Sequence, residues 1–325
     1  MGRSCFLGWL IGLALFVPGV VYAAGGPAGE SPRVAAIDWG QAQTLIAIGA
    51  PPVAMAQIAS YGDWVGGPAV PASVRELGLR VQPNMELLSQ LDLDAITITP
   101  MYETSRARLS QVAAVQSIDV YYHDGSAWDN TVDSTRKLAK LVHREAAAER
   151  FIESTRAQIE QLANRVPAES QPLLVLQFID ARHVRVFGDN SLIGNVMTRM
   201  GVTNAWQRET NFWGFALVPI ERLATIDNAR MAVLDPMPVG VPEEIDNSVL
   251  WQHLPAVRDQ AVLDLPAVWS FGGLPSATRF ARGLAEAYDH LASGAADQTP
   301  GRPRDRKSTR LNSSHTATSR MPSSA

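Results

Sequence analysis

The apolar positions of the first hundred residues fall into short blocks separated by turn residues. Val34–Asp38 (VAAID) is a continuous apolar run closed by an acid, as expected of a strand buried on both faces. QAQTLIAIG follows and reads as a helix closed by Gly49, which Pro51 and Pro52 prevent from continuing. VAMA (Val53–Ala56) is a second strand, and the Gly/Pro-rich stretch Tyr61–Pro71 predicts a loop carrying Trp64. In GLRVQPNMELLSQLDLDAITIT the pattern predicts a turn at Pro83, a short helix from Met85 and a strand over Ala95–Thr99. Ser117–Tyr122 (SIDVYY) predicts another strand.

The pattern then changes. Asp129–Arg165 is almost continuously helix-forming, and Glu145–Arg165 runs without Gly or Pro until Pro167. Phe151, Ile152, Ile159 and Leu162 form one apolar face. The heptad does not persist, so a long intramolecular helix fits better than a coiled-coil dimer. Beyond it the strand–helix alternation restarts with Leu173–Ile179, Val184–Gly188, a helix over Leu192–Met200, Met231–Asp235, Ala261–Leu265 and a last helix over Ser276–Leu291. The two halves share a phrase. Glu86-x-Leu88-x-x-Leu91-Asp92 and Glu221-x-Leu223-x-x-Ile226-Asp227 each precede an apolar strand. The expected fold class is therefore α/β, with two lobes of mainly parallel sheet joined by a single long α-helix. The expected boundaries are an N-terminal lobe over 33–142, a connecting helix over 143–166 and a C-terminal lobe over 167–293.

The ends change the picture. Residues 1–23 have one Arg, an apolar run and a small residue at Ala23, the layout of a cleaved secretory signal. Arg3 stands alone, so a twin-Arg route is not indicated. Residues 294–325 predict a disordered tail. Within it, Asp305–His315 (DRKSTRLNSSH) and Ser319–Ala325 (SRMPSSA) resemble translated sequencing adapter, so residues from about 305 are expected to be an artefact absent from the native protein. Outside 1–23 and 301–325, 21 of the 28 Lys+Arg and 31 of the 32 Asp+Glu remain, a net charge of −10 from 21 − 31. That acidity argues against nucleic acid or an anionic membrane face as partner. Cys5 is the single cysteine and lies in the signal, so disulfides, thiolate metal sites and a Cys nucleophile are excluded from the mature chain.

Catalytic signatures are missing. There is no GxGxxG, no GxxxxGK[ST] and no GxSxG, and the histidines are scattered without HExxH spacing. Tyr121–Asp124 is the one polar cluster suggesting metal or acid–base work, and a strand running into a turn explains it more simply. Gly66–Gly67 and Gly272–Gly273 read as isolated turns. Trp64, Tyr102, Trp206, Trp213 and Trp269, by contrast, all fall at strand ends or in connections, spread over both halves. Such a set fits a ligand cleft lined by aromatic faces with a few polar groups. Arg80, in GLRVQP, offers a rigid fork of donors for an oxygen-rich ligand, or equally for the carbonyls of its own turn.

Four stretches carry a resemblance: GLRVQPNMELL (Gly78–Leu88), ARHVRVFGDNSL (Ala181–Leu192), NAWQRETNFWG (Asn204–Gly214) and LPAVWSFG (Leu265–Gly272). Through them the chain, over about Arg33–Leu291, resembles the periplasmic ferric-hydroxamate (ferrichrome-type) siderophore-binding proteins, which belong to the long-helix class of substrate-binding proteins. The resemblance implies a non-enzymatic, monomeric periplasmic receptor without a cofactor. Its ligand is an iron(III)–siderophore complex whose iron the protein does not touch, delivered to an inner-membrane ABC permease. It also implies that Arg80 and Tyr102 hydrogen-bond the hydroxamate oxygens. Trp64, Trp206, Trp213 and Trp269 form the aromatic wall, Asn211 is a polar contact, and Glu86 and Glu221 dock the permease. Ile98 and Phe215 stand where close relatives can have an aromatic and a small polar residue. A cobalamin or haem receptor on the same fold, an exported α/β hydrolase and an adhesion module are the alternatives.

Overall fold

The computed structural model describes residues 31–119, 126–168 and 170–294. The expected signal, the tail beyond 294 and the Tyr121–Asp124 cluster lie outside the described residues.

The first sheet has the order β3-β2-β1-β6-β7, formed by Val34–Ala36 (β1), Ala54–Met55 (β2), Arg75–Glu76 (β3), Ala95–Ile98 (β6) and Ala114–Ser117 (β7). All its neighbouring pairs are parallel. A small antiparallel ribbon, Gly78–Leu79 (β4) with Gln82–Pro83 (β5), projects after β3. The apolar run in β1 follows from burial on both sides, because successive side chains face opposite ways. Val34 and Ala36 join Trp39, Leu45 and Leu138 on one face. Ala35 and Ile37 join Leu77, Leu88 and Ile98 on the other.

The second sheet has the order β10-β9-β8-β11-β12, from Leu173–Phe178 (β8), His183–Phe187 (β9), Phe215–Pro219 (β10), Arg230–Leu234 (β11) and Val262–Leu265 (β12). Strands β8, β11 and β12 are parallel, whereas β9 runs antiparallel to β8 and to β10. This sheet is thus mixed. Asp180 folds the β8–β9 hairpin by accepting from the backbone of Arg182 and His183 at 2.7 and 2.8 Å.

Three local expectations shift. Among the described residues the last strand of the first sheet is Ala114–Ser117, a mostly exposed edge with a weak apolar signal, and residues 120–122 of the expected Ser117–Tyr122 strand lie outside the described residues. Trp64 lies on a helix, Ile58–Val65, where a loop was expected. The helix-forming stretch is broken by His143 in the left-handed region (φ 53°), giving Ala127–Leu141 and Glu145–Ala163. The latter has 19 residues, about 28 Å at 1.5 Å each. It buries Ala148, Ile152, Thr155 and Ile159 along one stripe.

A second connection joins the two sheets' surroundings. Helix Leu274–Gly294 runs against Glu145–Ala163 and also touches the helix Trp39–Ala47 that follows β1. Gly272–Gly273, expected to be an isolated turn, is this joint. A Cβ at Gly272 would meet Ser276 Oγ at 2.0 Å and Gln43 Nε2 at 2.4 Å, and one at Gly273 would meet Thr44 Oγ1 at 2.4 Å. Buried Ser276 donates to Gln43 Oε1 at 3.0 Å across it.

Candidate functional site

Asp38, the acid closing the first apolar run, caps helix Trp39–Ala47 by accepting from Gly40 N at 2.7 Å and Gln41 N at 3.2 Å. The cap fixes Trp39, 2% exposed, whose indole N–H donates to the carbonyl of Ala56 at 2.9 Å. Arg80 lies across this ring. Its guanidinium carbon is 3.7 Å from the Trp39 centroid and 5.4 Å from that of Trp269.

The β4–β5 ribbon presents Arg80 at its tip, and Glu76 anchors the ribbon. The Glu76 carboxylate accepts from Gln57 N (2.9 Å), Ile58 N (2.7 Å) and Gly78 N (2.7 Å). Gln57 in turn accepts from Arg80 Nε through its side-chain oxygen at 2.8 Å. The remaining guanidinium edge faces Tyr102, on the 3-10 turn Pro100–Ser105 after β6. Burial pushes the Tyr102 phenol up to about 12, Asp38 pushes the same way, and Arg80 partly opposes both. The result is a guanidinium and a neutral phenol side by side, two donors for clustered oxygens.

From Arg80 the aromatic rings continue across to the second sheet. Trp39 and Trp269 centroids are 4.9 Å apart, Trp269 and Phe271 5.5 Å, Phe271 and Phe215 5.9 Å, and Phe271 and Trp213 6.0 Å. All meet edge to face. Phe212, 47% exposed, extends the series beyond Trp213 at 5.2 Å. This is an open band rather than an enclosed chamber. The larger cavities, about 370 and 440 Å³, lie beside Trp251 and Asp246 and beside helix Glu145–Ala163. The first presents carboxylates Asp246 and Asp264 and no cation, which suits an oxygen-rich anion poorly.

The expected site residues divide. Arg80, Tyr102, Trp213 and Trp269 come together around the band. Trp64 is half-buried against the same apolar cluster that Trp39 and Trp269 contact, without joining the ring series among the described residues. Trp206 departs from the expected wall. It is 4% exposed within the core that includes Leu174, Leu176 and Ile220, because its loop is tied inward. Asn204 donates to Phe187 O at 3.0 Å and accepts from Trp206 N at 2.9 Å. Asn211 uses its side-chain oxygen within the loop, accepting from Trp213 N (2.9 Å) and Phe215 N (3.3 Å), so its amide N–H2 is the end left for a ligand. Ile98 is fully buried beneath Tyr102, whereas Phe215 joins the ring series. Glu86 and Glu221 are exposed in the first turns of Met85–Ser89 and Ile220–Thr225, the segments preceding β6 and β11.

Sequence reasoning missed Trp39 and Phe271, and also Arg185 of β9, whose guanidinium carbon lies 5.1 Å from the Phe215 centroid at the second-sheet end of the band. The Asp–Trp–Gly step after an apolar strand was a capping signal that marks Trp39. Phe271 was visible only as part of the phrase LPAVWSFG, and Arg185 only as a polar member of an alternating strand.

The periplasmic binding protein family matches residues 34–268. The chain is 33% identical over 254 residues to the iron(3+)-hydroxamate-binding protein FhuD of Escherichia coli (strain K12), covering 78% of this chain and 85% of that one. In structure it is similar to the siderophore-binding protein FhuD from Vibrio cholerae, solved with Fe3+–Desferal, with a TM-score of 0.75 and 24% identity over 79% of this chain and 98% of that one. It also shares its fold with the triscatecholate siderophore-binding protein FeuA from Bacillus subtilis, with a TM-score of 0.65 and 14% identity over 81% of this chain and 94% of that one. The two sheets, the long helix and a match over most of the described chain lead to one conclusion: the protein belongs to the periplasmic binding protein family.

Proposed function

We propose that this protein is a periplasmic receptor that captures iron(III)–hydroxamate siderophores and hands them to an inner-membrane ABC importer. The observation carrying this reading is Arg80, clamped between the Trp39 ring and Gln57, with the neutral Tyr102 phenol beside it at the edge of an aromatic band. A ferric trishydroxamate is already six-coordinate. It needs donors to its ligating oxygens and flat apolar surface for its chains, and no metal ligand from the protein. Among the described residues no cluster of His, Cys, Asp or Glu has metal-holding geometry. The iron is cargo, enclosed by its chelator. Similarity to a relative named for hydroxamate binding supports the ligand class. No helix among the described residues is long and apolar enough to cross a membrane.

Tryptophan fluorescence tests the reading directly, because Trp39, Trp213 and Trp269 surround the band. Ferrichrome or ferrioxamine should quench strongly, the iron-free chelators weakly and cobalamin not at all. Absence of response to every ferric hydroxamate would defeat it. Docking belongs to the same proposal. Glu86 and Glu221 stand exposed at matching places in the two halves, available to basic pockets on a two-subunit permease. Charge reversal of both should leave siderophore affinity unchanged and abolish uptake in cells; normal uptake would free these residues from that role. Light scattering should show a monomer with and without ligand.

A further inference from the structure

Among the described residues, Arg185 is a guanidinium without an acid. It projects from β9, opposite Leu217 of β10 and Gln177 of β8. Its guanidinium carbon is 5.1 Å from the Phe215 ring centroid and 5.6 Å from that of Phe271. The residue is half-buried, and burial alone pulls its pKa down, with no carboxylate among the described residues to offset it. The shortage is local, since the chain outside its ends has 31 acids against 21 bases. A half-buried cation facing only aromatic rings retains unsatisfied donors.

The position is informative. Arg80 sits over Trp39 and Trp269, and Arg185 over Phe271 and Phe215. The Trp269–Phe271 contact joins the two seats, so a bulky ligand on this band meets one guanidinium from each half of the molecule. The chemistry of a ferric trishydroxamate leaves the second one unused. Three singly charged hydroxamates neutralise Fe3+, and Arg80 with Tyr102 serves the ligating oxygens. A second full charge finds its counterpart only if the ligand carries an anionic group outside the iron core.

We propose that Arg185 is a specificity-determining anion receptor, and that this protein prefers ferric hydroxamates bearing a peripheral carboxylate over neutral or amine-bearing ones. This rests on the ferric-hydroxamate reading, and the experiment separates the two. One linear trishydroxamate chain is prepared as its ferric complex with a terminal carboxylate, a terminal amine or an acetyl-capped amine. Each is titrated against the intact wild type and Arg185→Leu. The wild type should bind the carboxylate form about tenfold more tightly than the amine form, with the capped form between. Arg185→Leu should bring the three within about threefold of one another. Arg185→Lys should restore part of the preference, since it keeps the charge and loses the fork. Equal wild-type affinities, or a preference that survives Arg185→Leu, would overturn the proposal. If the leucine variant fails to fold by circular dichroism, the wild type's preference at low and high salt still decides: a salt-insensitive or absent preference refutes it. Failure of all three complexes to bind would instead refute the ferric-hydroxamate reading.

Discussion

Arg80 and Tyr102 divide the work of holding clustered oxygens. The guanidinium is fixed by Glu76 through Gln57 and by the face of Trp39, so little conformational entropy remains to be lost on binding. Arg80→Ala should weaken ferric-hydroxamate binding by on the order of 1–3 kcal/mol through loss of charge-assisted hydrogen bonds. Unchanged affinity in a folded variant would remove Arg80 from the site. Arg80→Lys should recover little of the loss, because an ammonium cannot keep the stacked fork over Trp39. Tyr102 makes a different prediction. Its folded pKa, pushed up to about 12 mainly by burial, exceeds the ordinary phenol value of 10.0, so it remains a protonated donor at every physiological pH. Its contribution to fold stability is complete below pH 10 and is lost as pH rises from 10 towards 12. Wild type should therefore lose stability in that alkaline window, together with the contributions of Tyr61 and Tyr288, whose phenols burial also pushes up. Tyr102→Phe should make that part of the stability curve less steep and lower affinity equally at pH 6 and pH 9. A binding profile that titrates between those values would show another ionisation at work.

The loop NAWQRETNFWGF shows how an element serves the site without most of its residues touching it. Asn204 and Asn211 replace missing ladder bonds for the turning chain, and Thr210 donates to Asn190 at 2.6 Å from the neighbouring loop. Gly214 completes the turn with φ 79°, and a Cβ there would lie 2.6–2.8 Å from the backbone and Cβ of Ser191. Both conformation and space require glycine at this point. Gly214→Ala should cost roughly 2–4 kcal/mol and displace Trp213, visible as a lower midpoint in urea and a shifted emission maximum. Wild-type stability would mean that the loop relaxes freely. This element also marks the limit of what the sequence discloses. Trp206 and Trp213 were both expected in the cleft wall, yet Trp206 points into the core while Trp213 reaches the band, because side-chain direction follows the loop's hydrogen bonds rather than its composition. The buried strands of both sheets were legible for the opposite reason. A run such as Val34–Ala36, or Leu173–Phe178 apart from Gln177, is apolar whichever face each residue takes. Edge strand Ala114–Ser117, mostly exposed, carries no such signal, and Phe215–Pro219 (FALVP) is apolar but ends on a proline, which argues against a strand.

At the scale of the molecule, the ring band exists only because segments distant in sequence meet. Trp39 belongs to the first half, Trp213 and Phe215 to the second, and Trp269–Phe271 to the segment that returns to touch the first. That return is held by Gly272–Gly273 against helix Trp39–Ala47 and by Ser276 on Gln43. Together with the packed helices Glu145–Ala163 and Leu274–Gly294, it gives the halves two attachments, and two attachments resist hinge bending more than one helix does. Ligand capture should then proceed with little closure. Small-angle scattering of the free and ferric-siderophore-loaded protein should differ in radius of gyration by less than about 1 Å. A change of several ångströms would refute the rigid joint. Gly272→Ala separates the joint from the long helix as the cause. Its methyl would sit 2.0 Å from Ser276 Oγ and 2.4 Å from Gln43 Nε2, both buried, so the halves must part slightly to admit it. Trp269 and Phe271 would move with that parting while Arg80 and Tyr102 stay with the first sheet. Affinity for the ferric hydroxamate should fall although every ligand-facing side chain is unchanged, and the scattering difference between free and loaded forms should grow. An alanine variant with wild-type affinity and wild-type scattering would show that the joint does not set the geometry of the band.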